Sequence, residues 1–265
     1  IRYSLGRGVG SLAYAVVCVL LGFQAGRLGM ESTLVTHLAL VVVEILLVAT
    51  YPAFRGNARQ SGEEGAKPQS ALSLLRSNPQ FTLMLAGVFL GLTGIMPLSN
   101  FLVNIVTSRG GSEADLGVAL FLMGAFELPP AFFFQPLLRR LGSGKLLLLS
   151  MVFGTLKGVL LLLTTSCLGV LLVQPIQVLG YGLFTPASVY FVNESVPEAD
   201  RVRGQTVMMV ASNGLGGMMG GVLAGWTLDL GGANLMLAAC IVSGCAGAAL
   251  CLAALRLGRQ SRRAS

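Results

Sequence analysis

Charge-free apolar runs recur along the chain, Leu146 to Leu156 and Ile241 to Leu255 among them. A bilayer core of ~30 Å takes about 20 helical residues to cross, and the runs return at about that length. The pattern predicts eight helical spans, at about 9–26, 33–54, 81–106, 115–138, 145–164, 168–192, 205–228 and 234–256. One connection is long. From Arg55 to Asn78 the chain turns polar and carries Gly56, Gly62, Gly65 and Pro68, which reads as a flexible loop. The segments are therefore two helices (1–54), a central loop (55–80), six helices (81–256) and a basic tail (257–265).

Composition sharpens the class. Of 265 residues, 54% are hydrophobic and 11% charged, against about 25% charged for a soluble domain. Thirty-five glycines would weaken soluble helices, but small residues let membrane helices approach closely. The fold class expected is an all-α polytopic membrane protein. The net charge of +7 does not point to nucleic acid, because the basic residues lie between spans and not on one face. Cys18, Cys167, Cys240, Cys245 and Cys251 lie in or beside apolar runs without a Cys-x-x-Cys pair, so neither a disulfide framework nor a metal site is expected, nor any cofactor. The first residue is Ile1, followed by Arg2 and Arg7, which suggests that the natural chain begins further upstream.

Sidedness follows from the Lys and Arg residues that flank the spans. One side holds Arg2, Arg7, Arg55, Arg59, Lys67, Arg76, Arg139, Arg140, Lys145, Arg201, Arg203, Arg256, Arg259, Arg262 and Arg263; the other holds Arg27 and Arg109. This places both termini and the long loop in the cytoplasm of a multi-pass cell-membrane protein. An internal repeat adds to the picture. Moving the first two spans forward by 203 residues sets Leu12 on Leu215, Val19 on Val222, Leu20 on Leu223, Gly22 on Gly225, Gly29 on Gly232 and Leu34 on Leu237. Span one thus maps onto span seven and span two onto span eight, the offset of a parallel repeat of two six-helix halves. Four helices of the first half are then expected upstream.

Three stretches resemble the major facilitator superfamily, and within it the lactose-permease-like and phenylpropionate-transporter-like branch. They are Arg7-Gly-Val-Gly-Ser-Leu-Ala-Tyr14, Leu137-Leu-Arg-Arg-Leu-Gly142, and Asn193 through Gln205. The helix from Gly217 to Trp226, ending at Asp229, is similar too. The resemblance implies a major facilitator fold in which this chain supplies helices five to twelve of twelve. It also implies the missing N-terminal half as a partner within the same protein.

A charged side chain at mid-bilayer costs at least ~2.5–3.5 kcal/mol, so each needs a cavity or a partner. Glu44 falls in span two, Glu127 in span four and Lys157 in span five. Glu127 and Lys157 sit on adjacent antiparallel spans at depths about 6 Å apart, from a rise of ~1.5 Å per residue. They read as a titratable, proton-coupling pair, or else as a structural ion pair that fixes packing. Glu44 is the third proton-coupling candidate. In the lactose-permease pattern a Glu stands on the eighth helix and an Arg on the ninth, positions taken here by Glu127 and Lys157. The tenth departs from that pattern: it carries Gln174 and Gln177, and the one histidine, His37, lies elsewhere.

Amides on one face suit hydroxylated or zwitterionic solutes. Asn100 and Asn104 are four apart in span three, and Gln174, Gln177 and Tyr181 follow a three-then-four spacing in span six. These five are the substrate-binding candidates, the plainer alternative being hydrogen bonds between helices. Glu194, Arg201 and Arg203, in a charged loop with Glu198 and Asp200, are candidates for a cytoplasmic gate; a solvated loop is the alternative. Gly217, Gly221 and Gly225, with Gly216 and Gly220 beside them, read as a packing face. Pro97, Pro129, Pro130, Pro175 and Pro186 interrupt spans and free backbone carbonyls.

The expected function is secondary transport of a small polar organic solute, sugar-like or an organic acid, by alternating access with proton-coupled uptake. Proton-driven drug or metabolite efflux is the alternative within transport. A membrane enzyme is the rival of another class, and the spans carry no His cluster, Ser-Lys pair or Asp-rich motif to support it. A sensor would need a signalling domain that the sequence does not contain.

Overall fold

The computed structural model describes residues 3–29, 31–50, 70–126 and 130–264, and all regular structure among them is helical. Span one is α1 (Tyr3–Leu28) and span two is α2 (Glu31–Thr50). A short α3 (Ala71–Ser77) precedes span three, which is broken into α4 (Pro79–Ile95), α5 (Pro97–Asn100) and α6 (Leu102–Ser108). Span four comprises α7 (Glu113–Ala125) and α8 (Pro130–Leu141), and span five is α9 (Ser143–Leu163). Span six runs through α10 (Cys167–Val173), a 3₁₀ turn (Gln174–Val178) and α11 (Tyr181–Ser195). Span seven starts with α12 (Arg201–Met209) and a π-helical turn (Val210–Gly216), and passes into α13 (Gly217–Ala264), which also contains span eight. Most of the central loop, residues 51–69, lies outside the described residues, as does Glu127.

Five helical stretches among the described residues are long and apolar enough to cross a bilayer. The longest of them, Glu198–Gln260, contains two spans, because the chain reverses at Gly231 and Gly232. Both limbs lie along α4. On the first, Gly216 packs by Phe89 and Leu92 and Gly220 by Thr93 and Pro97, so the limb runs parallel to α4. On the second, Cys240 lies by Gly94, Gly247 by Gly91, Cys251 by Gly87 and Gly258 by Gln80, so it runs antiparallel. Gly232 makes the reversal with φ +70, a backbone region nearly closed to residues with a Cβ. Gly29, which the 203-residue shift sets on Gly232, has φ +84 at the reversal between α1 and α2.

Of the five glycines expected to pack on span seven, Gly216 and Gly220 press onto α4 and Gly217 lies by Met96, whereas a Cβ on Gly221 or Gly225 would meet nothing within 4 Å among the described residues. The π turn just before Gly217 adds a residue to the helical turn, which fixes the phase of the limb that follows. A closer contact, which the sequence reading missed, joins α4 to span eight through Gly87, Gly91 and Gly94 facing Cys240, Gly244, Gly247 and Cys251. Two hydrophobic clusters fill the bundle, one around Phe81, Met84, Leu147 and Met151, the other around Leu98, Leu102, Leu161 and Met236. Span one reaches this bundle at α7, where a Cβ on Gly22 would stand 2.8 Å from the Gly117 Cα. α2 buries none of its side chains and has α1 as its main neighbour.

The breaks have local causes. Pro97 offers no N–H to the carbonyl of Thr93 and crowds it; the chain turns at Met96, and Gly220 packs on both Thr93 O and Pro97. Pro175 likewise cannot bond Leu171 O, and the Gln174 N–H bonds that carbonyl instead, tightening the turn to 3₁₀. At one end of the bundle Asn78 caps α4 by accepting from the Phe81 N–H (3.1 Å) and donates to Ser195 O. At the other end Arg109 donates to Asn234 (2.6 Å), and Gly111 lies against Cys167.

Candidate functional site: a buried polar group between spans four, five and six

α9 and span six cross at glycines. A Cβ on Gly180 would stand 3.2 Å from the Gly154 Cα, so the two backbones nearly touch. The two spans run antiparallel at the crossing, and three residues from it Lys157 faces Gln177. The Lys157 ammonium donates to Gln177 Oε1 at 2.9 Å, with 0% of Lys157 and 7% of Gln177 exposed. Gln177 makes this contact from within the 3₁₀ turn. α7 closes the third side: Met123 Sδ lies 4.0 Å from Lys157 Nζ and 3.6 Å from Ser99 Oγ, so its thioether stands between α9 and α5.

Gln174 shares this setting. In a 3₁₀ helix residues i and i+3 eclipse, so Gln174 and Gln177 lie along one edge. Gln174 is fully buried and donates from Nε2 to Val170 O at 3.0 Å, while its Oε1 meets no donor among the described residues. An acceptor buried without a partner costs about 1–3 kcal/mol. Tyr181 departs from that edge, because helical geometry restarts after Gly180. Its hydroxyl donates to Asn213 Oδ1 (3.2 Å) in the π turn of span seven, and its ring packs on Phe184.

The other candidates lie elsewhere. Asn100 is exposed at the end of α5 and Asn104 half-buried in α6; Phe101 interrupts the helix between them, so the one-face spacing holds over no continuous helix. Glu44 is exposed on α2. Glu194 accepts a hydrogen bond from Ser143 Oγ and lines a cavity of about 330 Å³ with Lys145 and Arg259. Arg201 pairs with Glu198 at 3.4 Å and Arg203 with Asp200 at 3.2 Å, each three residues away along its own turn. The three gate candidates are thus held by separate partners, the two arginines by neighbours on their own turn and Glu194 by Ser143 of α9. Sequence reasoning missed Met123, Ser99 and Asn213. Ser99 and Asn213 were visible as polar residues within apolar runs; nothing marked Met123.

The arrangement has a fully buried cation, two amides on one edge and a flexible thioether, enclosed by three spans, of which span six breaks into a 3₁₀ turn at the site. This suits recognition of a polar solute away from bulk water. Residues 1–238 match the model of the MFS_1 like family. No curated protein matches the chain.

Proposed function

Because the chain belongs to the MFS_1 like family, within the major facilitator superfamily, and is a membrane transporter, we propose that it moves a small polar organic solute, sugar-like or an organic acid, by alternating access. On this reading the protein lies in the cell membrane, spans three to eight form one six-helix half, and uptake is coupled to protons. The observation that carries it is the Lys157–Gln177 contact, a buried cation held where span six breaks. Such a group is costly in a bundle that only needs to pack, and irregular backbone at membrane depth is tolerated where it lines a cavity or is enclosed by protein.

Gln174, Gln177 and Tyr181 are the solute contacts of this half, with Asn100 and Asn104 on the approach from span three. Glu127, four residues beyond Met123 in sequence, is the proton-coupling carboxylate, with Lys157 as its counter-charge; Glu44 is a second coupling group. Glu194, Arg201 and Arg203 act as a gate by exchanging their local partners as the halves rock. The test is transport in vesicles with an imposed proton gradient. Glu127→Gln is expected to abolish accumulation against a gradient while exchange persists; accumulation like that of the wild type and insensitive to pH in this variant refutes the role.

A further inference from the structure

On that reading, the geometry points to a more specific subsite: Lys157, Gln177 and Gln174 take the carboxylate end of a small hydroxy acid, and Met123 is the cover that the ligand displaces. An ammonium has three N–H donors. Within the described residues Lys157 has one good acceptor, Gln177 Oε1, and one weak one, the Met123 thioether at 4.0 Å. Neither ion pair among those residues involves it. When Glu127, its counter-charge on that reading, takes up a proton, the ammonium is left with these two acceptors; an anion brought to it then stabilises it, and a carboxylate supplies the acceptors that the thioether lacks.

The second observation is the Gln174 Oε1, unpaired among the described residues. It lies one 3₁₀ turn from Gln177, about 6 Å along the axis at ~2.0 Å per residue, on the same edge. A carboxylate would leave this acceptor unpaired, whereas a hydroxyl close to the carboxylate would satisfy it. A donor for Gln174 beside an acceptor for Lys157 describes a hydroxylated carboxylate of the sugar-acid kind. A neutral sugar would answer Gln174 and leave Lys157 unmatched; a simple fatty acid would do the reverse.

Access depends on Met123. The subsite is closed here, with Lys157 and Gln174 fully buried and Met123 9% exposed. Met123 stands between Lys157 and Ser99, and next to Ser99 is the exposed Asn100. An unbranched thioether turns aside at little cost, which opens Lys157 Nζ toward α5.

The test uses the full chain purified in detergent, with D-gluconate, sorbitol and propionate as probes. Gluconate and sorbitol share a hydroxylated skeleton and differ in the carboxylate; propionate keeps the carboxylate alone. Gluconate at tenfold excess over its dissociation constant is expected to raise the unfolding midpoint by roughly 3–5 °C, propionate by less, and sorbitol not at all. Lys157→Gln is expected to abolish the gluconate shift, and Gln174→Leu to bring gluconate down to propionate. Met123→Glu places a carboxylate of the protein beside the ammonium and is expected to abolish the shift as well, which keeps the test open if Lys157→Gln fails to fold. No gluconate shift in the wild type, an undiminished shift in Lys157→Gln, or a sorbitol shift equal to that of gluconate overturns the subsite. The transport reading fails separately: proteoliposomes that exchange neither sorbitol nor gluconate count against it, whereas exchange of sorbitol alone upholds it and overturns only the subsite.

Discussion

Gly91 on α4 and Gly247 on span eight meet backbone to backbone: a Cβ on Gly247 would stand 2.2 Å from the Gly91 amide nitrogen and 2.6 Å from Gly87 O. Main-chain atoms cannot turn aside as a side chain can, so Gly247→Ala must push the helices apart. A loss of about 1–3 kcal/mol is expected, read as a lower unfolding midpoint in detergent. Gly221→Ala on span seven, where a Cβ meets nothing within 4 Å, is the control and should unfold close to the wild type.

Lys157 and Gln177 should behave as a coupled pair. Gln177→Leu leaves the ammonium without its one good acceptor among the described residues and is expected to cost at least ~1–3 kcal/mol. Lys157→Met in the same chain removes the unmet charge, and the double variant should recover much of that loss, with a coupling of about 0.5–3 kcal/mol. Strictly additive midpoints would show that the 2.9 Å contact contributes little.

Asn78 performs two tasks with one side chain, capping α4 and holding the end of α11 through Ser195 O. Asn78→Ala loses both and should cost somewhat more than the ~0.5–2 kcal/mol of a cap alone. Asn78→Ser can still accept from the Phe81 N–H but reaches no further, so its midpoint should fall between the two. Equal midpoints for Ala and Ser would mean that the tie to Ser195 dominates.

The orientation can be tested directly. Thr165 and Glu198 are exposed at opposite ends of span six. In intact cells a membrane-impermeant maleimide is expected to label Thr165→Cys; Glu198→Cys should label only after the membrane is opened. The reverse pattern inverts the predicted topology.

The spans were legible because runs of about twenty residues without charge have few other uses, and the Gly29–Gly232 match in the repeat corresponds to two reversals that both use a left-handed glycine. Lys157, Gln174 and Gln177 were legible as polar residues where polarity is expensive. Their assembly was not. It depends on the register of Gly154 against Gly180 and on the 3₁₀ turn at Pro175, which are relations between spans that no single span encodes. Which of the span-seven glycines pack on α4 was not legible for a similar reason: a period of four is necessary for close packing, but the π turn at Val210–Gly216 sets the phase of the glycines that follow. The short α3 was hidden within a polar stretch, where only Leu74 is fully buried.

The contact of α1 with α7 through Gly22 and Gly117 has a mechanical side. Helices locked by interdigitated side chains must unseat each knob before they shift, and close packing makes such interfaces bistable. Two glycines back to back present no knobs. At this point of contact, rotation of one helix against the other has no knob to unseat.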